Sequence, residues 1–399
     1  MLNTTTKLRQ GAYALAMVAC VGAPALADSQ ITTVGGATLG IYGLVQLDGA
    51  WENHRGYSAP GNNVVWAQTG NIAQSGEWNF TADNTRLGFN IAGPDGNNFK
   101  LAGKLEFDFY GGGNAENTPV PRLRHGYGTV SFPKLGLSFL AGQSWDVIAP
   151  VNVPTVNAGV LYYAGNLGST RRPQFRATEN VTLPGDGKWE ITAAVVRSIG
   201  QASPFVAAST DAGHDADIPA FEGRTAVTLP LWVEKQAATL GVSGLYGEED
   251  VLLDTFGNIQ TVKVWAGAVD LELPLAKFVS LAGEGFYGGN LDAYQGGIGQ
   301  GFTKVGNRVI NVEGWGGWAA LRFKFGPITA NLGGGLDSVH ASTVAAGGRT
   351  RNTNAFGNVG YNLNGNSKVA FEVERIETDY KAGKSEELWR TQAAYTYSF

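Results

Sequence analysis

The chain has 399 residues, of which 57 are Gly, 10 Trp, 14 Tyr and 19 Phe, and only 16% are charged. Its 29 basic and 34 acidic residues give a net charge of −5, which argues against nucleic acid as a partner. The single cysteine excludes a disulfide framework, and no run of about 18 apolar residues offers a helical membrane span. Many aromatic residues at a mean hydropathy of −0.09 favour a transmembrane β-barrel, in which lipid-facing and lumen-facing residues average out.

The N-terminal residues predict export. Lys7 and Arg9 precede a short apolar stretch at 11–21, and Ala25-Leu26-Ala27 offers an A-x-A cleavage site. Cys20 is a weaker candidate for a lipoprotein site. We therefore expect residues 1–27 to be a signal peptide and 28–399 to be one outer-membrane barrel domain. Without Lys7 and Arg9 the mature chain has 29 − 2 = 27 basic residues against 34 acidic ones, a net charge of −7.

Alternating segments predict about sixteen antiparallel strands, because the side-chain period of a strand is two. Tight turns are expected at 94–97, 133–134, 184–187, 234–235, 274–276, 326–327 and 364–366. Long loops are expected near 52–78, 111–120, 144–170, 200–220, 248–259, 289–308, 342–349 and 381–387. Seven turns and eight loops alternate along the chain, so both termini should lie on the periplasmic side.

The last strand shows the pattern most clearly. Trp389, Thr391, Ala393, Tyr395, Tyr397 and Phe399 share one face, and the opposite face is mostly polar. Lipid on one side and water on the other would require this alternation. We expect Tyr395, Tyr397 and Phe399 to act as the signal that the barrel-assembly machinery reads.

Charged side chains within the predicted strands point to the lumen. Lys104, Glu106 and Asp108 alternate with apolar residues on the third strand, and a lipid-facing Lys or Arg costs roughly 2–4 kcal/mol near the midplane. Basic residues gather on the second to sixth strands, namely Arg86, Lys104, Arg122, Arg124, Arg171, Arg172 and Arg176. Together they predict a constriction that prefers anions, since guanidinium groups bind carboxylates bidentately. The other interpretation is that these arginines pair with acidic neighbours and leave the wall electrically neutral.

The 144–170 segment is the predicted constriction loop. It is more apolar than an external loop should be, and it contains Trp145, Asp146, Tyr162 and Tyr163. A long apolar loop needs a surface to cover. Folding into the lumen would supply that surface, and packing against a neighbouring subunit is the alternative.

Catalytic and cofactor motifs are weak. The G-x-G-x-x-G match at 283–288 lies in a strand that precedes a loop, so it lacks the helix a nucleotide site needs. Asp211, His214, Asp215 and Asp217 are more consistent with a solvated loop than with a metal site. We expect no catalytic residue, no metal and no cofactor, and therefore no enzyme.

Five segments carry a resemblance to a known family. They are 85–89 (TRLGF), 104–109 (KLEFDF), 122–127 (RLRHGY), 141–145 (AGQSW) and 171–176 (RRPQFR). This succession resembles the DcaP-like trimeric porins of Gram-negative outer membranes, although 122–127 has His-Gly-Tyr where the family has His-Ala-Tyr. The resemblance implies a homotrimer of sixteen-stranded barrels that passes small anionic solutes, including dicarboxylates. It also implies pore-lining roles for Arg86, Arg122, Arg124, Arg172 and Arg176.

The expected function is therefore an outer-membrane porin for passive diffusion of small hydrophilic solutes, with a preference for anions or carboxylates. A sugar-type or general diffusion porin without anion preference is the main alternative, because Trp145, Tyr162 and Tyr163 would also suit a sugar path. A closed structural or adhesion barrel is the third possibility.

Overall fold

The structure is a computed structural model. It describes residues 31–399 except 33–34, 60–62, 71–74, 113–117, 169, 207–212, 215 and 234. The predicted signal peptide, Asp211 and Asp215 lie outside the described residues.

The described chain forms a closed antiparallel β-barrel of sixteen strands, which confirms the predicted fold. The strands are β1 Thr38–Glu52, β2 Glu77–Thr81 with Arg86–Ala92, β3 Lys100–Asp108, β4 Arg122–Phe132, β5 Leu137–Trp145, β6 Arg171–Leu183, β7 Gly187–Val196, β8 Ala220–Pro230, β9 Ala237–Leu252, β10 Ile259–Ala276, β11 Val279–Gly289, β12 Glu313–Phe325, β13 Ile328–Val339, β14 Arg349–Asn362, β15 Ser367–Tyr380 and β16 Glu386–Ser398. Each strand pairs with its neighbours in sequence, and β1 pairs with β16 from Leu44↔Ser398 to Glu52↔Arg390 to close the barrel. Closure leaves no sheet edge with unpaired amides.

Side chains alternate between the two faces of the wall, as β16 shows. Trp389, Tyr395 and Tyr397 are each more than 40% exposed on the outer face, whereas Leu388 and Arg390 on the inner face are at most 3% exposed. The outer face presents the apolar surface that lipid would cover. None of the described residues form a helix of the length and apolarity that a membrane crossing needs.

Among the described residues, the predicted order of tight turns and long connections is confirmed, with two corrections. The turn predicted at 274–276 was wrong, because β10 continues to Ala276 and the chain reverses at 277–278. The segment predicted as a long loop at 248–259 is mostly strand, and only 253–258 connect β9 to β10. Alternation extends further there than the polar composition suggested.

Some long connections have structure of their own. The β1–β2 connection contains a hairpin of Gly56–Ala59 and Asn63–Ala67, and the β11–β12 connection contains a hairpin of Phe302–Val305 and Arg308–Asn311. Ile31–Thr32 adds a short pairing to β1.

Candidate functional site

The β5–β6 connection lies inside the barrel, as predicted for the 144–170 segment. It is anchored by the side chains of six strands, in chain order Glu222 of β8, Ser243 of β9, Glu284 of β11, Arg322 of β12, Asn358 of β14 and Glu372 of β15. A segment that contacts so many sides of a closed barrel has to lie within it. We call residues 146–170 the inner loop.

Apolar side chains of the inner wall explain why the inner loop is apolar. Ile148 and Leu167 of the loop are fully buried against Val264 and Phe286 of β10 and β11. Further along, Val151 and Val153 pack with Leu161 of the loop and Trp318 of β12. The loop therefore covers the β9–β14 side of the interior and removes its apolar surface from water.

The inner loop is electrically neutral beyond its first residue. Positions 147–170 contain no Asp, Glu, Lys, Arg or His. Burial raises the pKa of the Tyr163 phenol well above its usual value, and burial does the same to the pKa of Tyr294, which packs against the loop. Both phenols therefore stay uncharged, and the loop contributes almost no field of its own.

The opposite side of the interior carries the predicted charged residues. Lys104, Glu106 and Asp108 of β3 lie on the inner face, opposite Tyr127, His125 and Arg122 of β4. The register shifts between Glu106 and Phe107, so that Arg124 is an extra residue opposite Glu106. This β-bulge lets both Arg124 and His125 lie buried beside Glu106, which strict alternation would not allow.

Two carboxylates of β3 bind two arginines of β4. Asp108 accepts two hydrogen bonds from Arg122, of 2.9 and 2.6 Å, and one of 2.7 Å from Arg124. Glu106 accepts a hydrogen bond of 2.6 Å from Arg124 and one of 2.7 Å from the hydroxyl of Tyr42. Charge-assisted bonds of this kind fix side-chain geometry and partly neutralise the pair. Arg124 is buried, whereas the Arg122 side chain keeps 39% of its surface exposed.

The three arginines of β6 are held differently. Arg172 is fully buried, pairs with Asp146 at 3.1 Å and lies 3.7 Å from the ring centroid of Tyr294. Arg176 donates to Gln174 and to the carbonyl oxygen of Trp145.

Arg171 is out of phase with Arg172 and Arg176, and its guanidinium lies 4.2 Å from the ring centroid of Trp145. The same ring lies 5.8 Å from Arg124, so Trp145 brings Arg171 and Arg124 together. Within the described residues, neither Arg171 nor Arg176 forms an ion pair, and the Nη1 of Arg171 has no hydrogen-bond partner.

The remaining predicted residues surround this cluster. Lys104 lies 3.7 Å from Glu106, and Arg86 of β2 is two residues from Gly88, which pairs with Glu106. Tyr162 and Tyr163 lie in the inner loop next to the β1–β2 hairpin, and Tyr163 contacts the ring of Trp66 edge-on at 5.3 Å. Tyr162 also lies near enough to Arg171 to interact with its charge, so the inner loop approaches the arginines at this point.

Sequence reasoning missed the acidic residues that anchor the inner loop. Glu222, Glu284, Glu372 and Glu374 are almost completely buried on the inner face. The loop's backbone N–H groups or Asn157 donate to each of them. The available signal was the presence of carboxylates at lumen-facing positions, single in β8 and β11 and two residues apart in β15.

The fold is that of known outer-membrane channels. The outer membrane channel DcaP of Acinetobacter baumannii superposes with a TM-score of 0.75 at 19% identity, covering 92% of this chain and 99% of that one. An anion-selective porin from Comamonas acidovorans gives a TM-score of 0.57 at 11% identity, covering 91% of this chain and 100% of that one. OmpF of Salmonella typhi, in complex with daunomycin, gives a TM-score of 0.52 at 13% identity, covering 93% of this chain and 100% of that one. No family model and no curated protein sequence matches the chain.

Proposed function

We propose that this protein is a DcaP-like porin of the outer membrane, a channel and not an enzyme, through which small hydrophilic solutes diffuse passively. The sixteen-stranded barrel, its inner loop and the similarity in fold to DcaP support this proposal. The inner loop covers the β9–β14 side, so the water path runs between the loop and the charged wall of β3–β6. The loop is then the constriction, with Trp145 and Asp146 at its base.

We propose further that the channel prefers anions, including carboxylates. The supporting observation is that charge at the constriction is one-sided. The basic residues of β3–β6, which we call the basic cluster, are Lys104, Arg122, Arg124, Arg171, Arg172 and Arg176. Their acidic neighbours are Glu106, Asp108, Asp146, Glu190 and Glu222, so six cations face five carboxylates. Residues 147–170 of the loop on the other side add no opposing charge, and the excess favours anions in a narrow pore.

The assembly follows from the same proposal. Residues 1–27 would be removed on export, and 28–399 would fold as one barrel with both termini in the periplasm. The similarity to DcaP-like porins supports a homotrimer in outer-membrane lipid. The terminal Tyr395, Tyr397 and Phe399 would be read by the barrel-assembly machinery.

The test is the reversal potential of the purified protein in a planar bilayer under a KCl gradient. We expect stepwise conductance with a reversal potential of chloride sign. Replacing both Arg122 and Arg171 by Gln should move that potential towards zero, because these side chains carry exposed or unpaired charge. Arg375→Gln on the outer face of β15 is the matched control and should leave it unchanged.

The other outcomes decide between the alternatives. Cation preference would overturn the anion proposal and leave a general or sugar-type pore. A well-folded protein without any conductance would indicate a closed structural or adhesion barrel.

A further inference from the structure

The inner loop changes its mode of attachment at its tip. Along 148–153 and 161–167 its apolar side chains are buried against the wall. At the tip, 154–160, Val160 is half-buried against these clusters, and the fully buried side chain is that of Asn157, which is 2% exposed. Apolar contacts as well as hydrogen bonds therefore hold the two arms of the loop, whereas the tip depends mainly on polar contacts.

Glu372 of β15 binds the backbone of the tip. Its carboxylate accepts hydrogen bonds from the N–H groups of Val156 and Asn157, at 2.7 and 2.6 Å. A third bond of 2.7 Å comes from the Asn358 side chain of β14, whose amide also donates to Pro154 O. Two successive N–H groups of the tip thus converge on one carboxylate, which the wall supplies.

The Asn157 side chain joins three parts of the protein. Its amide nitrogen donates to Glu374 of β15 at 2.8 Å and to the carbonyl oxygen of Val64 in the β1–β2 hairpin at 3.0 Å. Its amide oxygen accepts the N–H of Gly159 at 2.9 Å. A Cβ atom at Gly159 would lie only 3.1 Å from Val64 O, so glycine allows the hairpin to approach the tip. We call Asn157, Glu372 and Glu374 the tip clamp.

We propose that the tip clamp positions the end of the inner loop and thereby sets the width of the water path. This inference rests on the proposed channel function. The clamp residues act through the loop and not by contact with solute, so they are positioning residues. Loss of the clamp releases 154–160, while the apolar arms stay packed on the wall and the adjoining hairpin stays bonded to it through Asn352 and Thr378.

A cysteine reporter tests release of the tip directly. Cys20 is the only native cysteine and lies in the predicted signal peptide, so Ala158→Cys places a single thiol on the half-buried tip of the mature chain. Its rate of modification by a charged methanethiosulfonate should rise severalfold when Asn157→Ala or Glu372→Gln is added. Glu372→Gln keeps the side-chain shape, but its amide NH2 would face an N–H donor of the tip.

Thr178→Val is the matched control, because it removes the wall contact between Thr178 and Thr192 without touching the loop. It should change neither the labelling rate nor the conductance, whereas both clamp variants should raise single-channel conductance. Unchanged labelling and conductance in correctly folded Glu372→Gln would overturn the proposal, even if Asn157→Ala fails to fold. Absence of conductance in the unmodified protein would refute the channel function alone, since the labelling assay still reports on the clamp.

Discussion

The β3–β6 side and the β9–β14 side of the barrel interior differ in the composition of their inward side chains. On β3–β6 many inward side chains are charged, several of them pair with one another, and Arg122 keeps 39% of its side-chain surface exposed. On β9–β14 many of them are apolar, and the inner loop buries them. On both sides, outward-facing and inward-facing side chains alternate along each strand. This alternation separates the lipid face from the interior, but it does not determine whether the interior face borders water or is covered by the loop. The composition of the inward positions decides whether a wall borders water or is covered.

We expect the largest loss in free energy of unfolding where the wall covered by the inner loop loses its bulkiest side chain. Trp318→Ala removes a ring that is 4% exposed among Val151, Val153 and Phe356 and should cost about 3–5 kcal/mol in free energy of unfolding. Urea unfolding from lipid vesicles measures this. Trp315→Ala, three residues earlier on the outer face, is the control and should cost much less, because lipid replaces its contacts. Equal losses would show that the loop does not pack on this wall.

Substitutions in the charged wall of β3–β6 should lower the free energy of unfolding by a different mechanism. Arg124→Ala leaves Glu106 and Asp108 buried with fewer partners, and we expect a loss of about 3 kcal/mol, the lower end for a broken buried pair, since Arg122 still binds Asp108. Arg122→Ala should cost less, because that side chain is more than a third exposed and solvent screens its charge. The same unfolding assay compares the two. A larger loss for Arg122 would contradict this ranking.

An intermediate effect is expected where a polar side chain ties the covering segments to the wall. Asn352 of β14 is fully buried and donates to Val65 O at 2.8 Å and to Tyr163 O at 2.9 Å. Asn352→Ala leaves these groups unpaired and should cost about 1–3 kcal/mol. Asn331→Ala is the control, because the half-buried Asn331 is accessible to water that can replace its bond to Asn358. Hydrogen exchange at Tyr163 should increase only in the first variant.

The smallest effect is expected on the outer surface. Arg375 bonds Glu377 and Glu387, but all three side chains are 29–44% exposed. Arg375→Ala should change the free energy of unfolding by less than about 1 kcal/mol, because solvent-exposed pairs contribute little. Measurement at low and high salt checks this, and the difference should shrink as salt is added. A loss comparable to that of Arg124→Ala would show that burial is not what separates the two pairs.

The amino-acid sequence determined the strands, their faces and the inward path of the 144–170 segment. These features follow from local physics: the period of two, the cost of charge in lipid and the need of a long apolar loop for a surface. They are visible in single segments such as β16, where each residue's side is fixed by its neighbours in sequence.

Only the tertiary structure decided which inward side chains contact one another and which contact the inner loop. The bulge opposite Glu106, the pairing of Arg124 with two carboxylates and the anchoring of the loop by Glu372 depend on register between strands and on residues more than 200 positions apart. Periodicity places a side chain inside the barrel, but it carries no information about which other inward side chain lies within hydrogen-bond distance. That distance is set by closure of the barrel, which brings together segments that the sequence keeps apart.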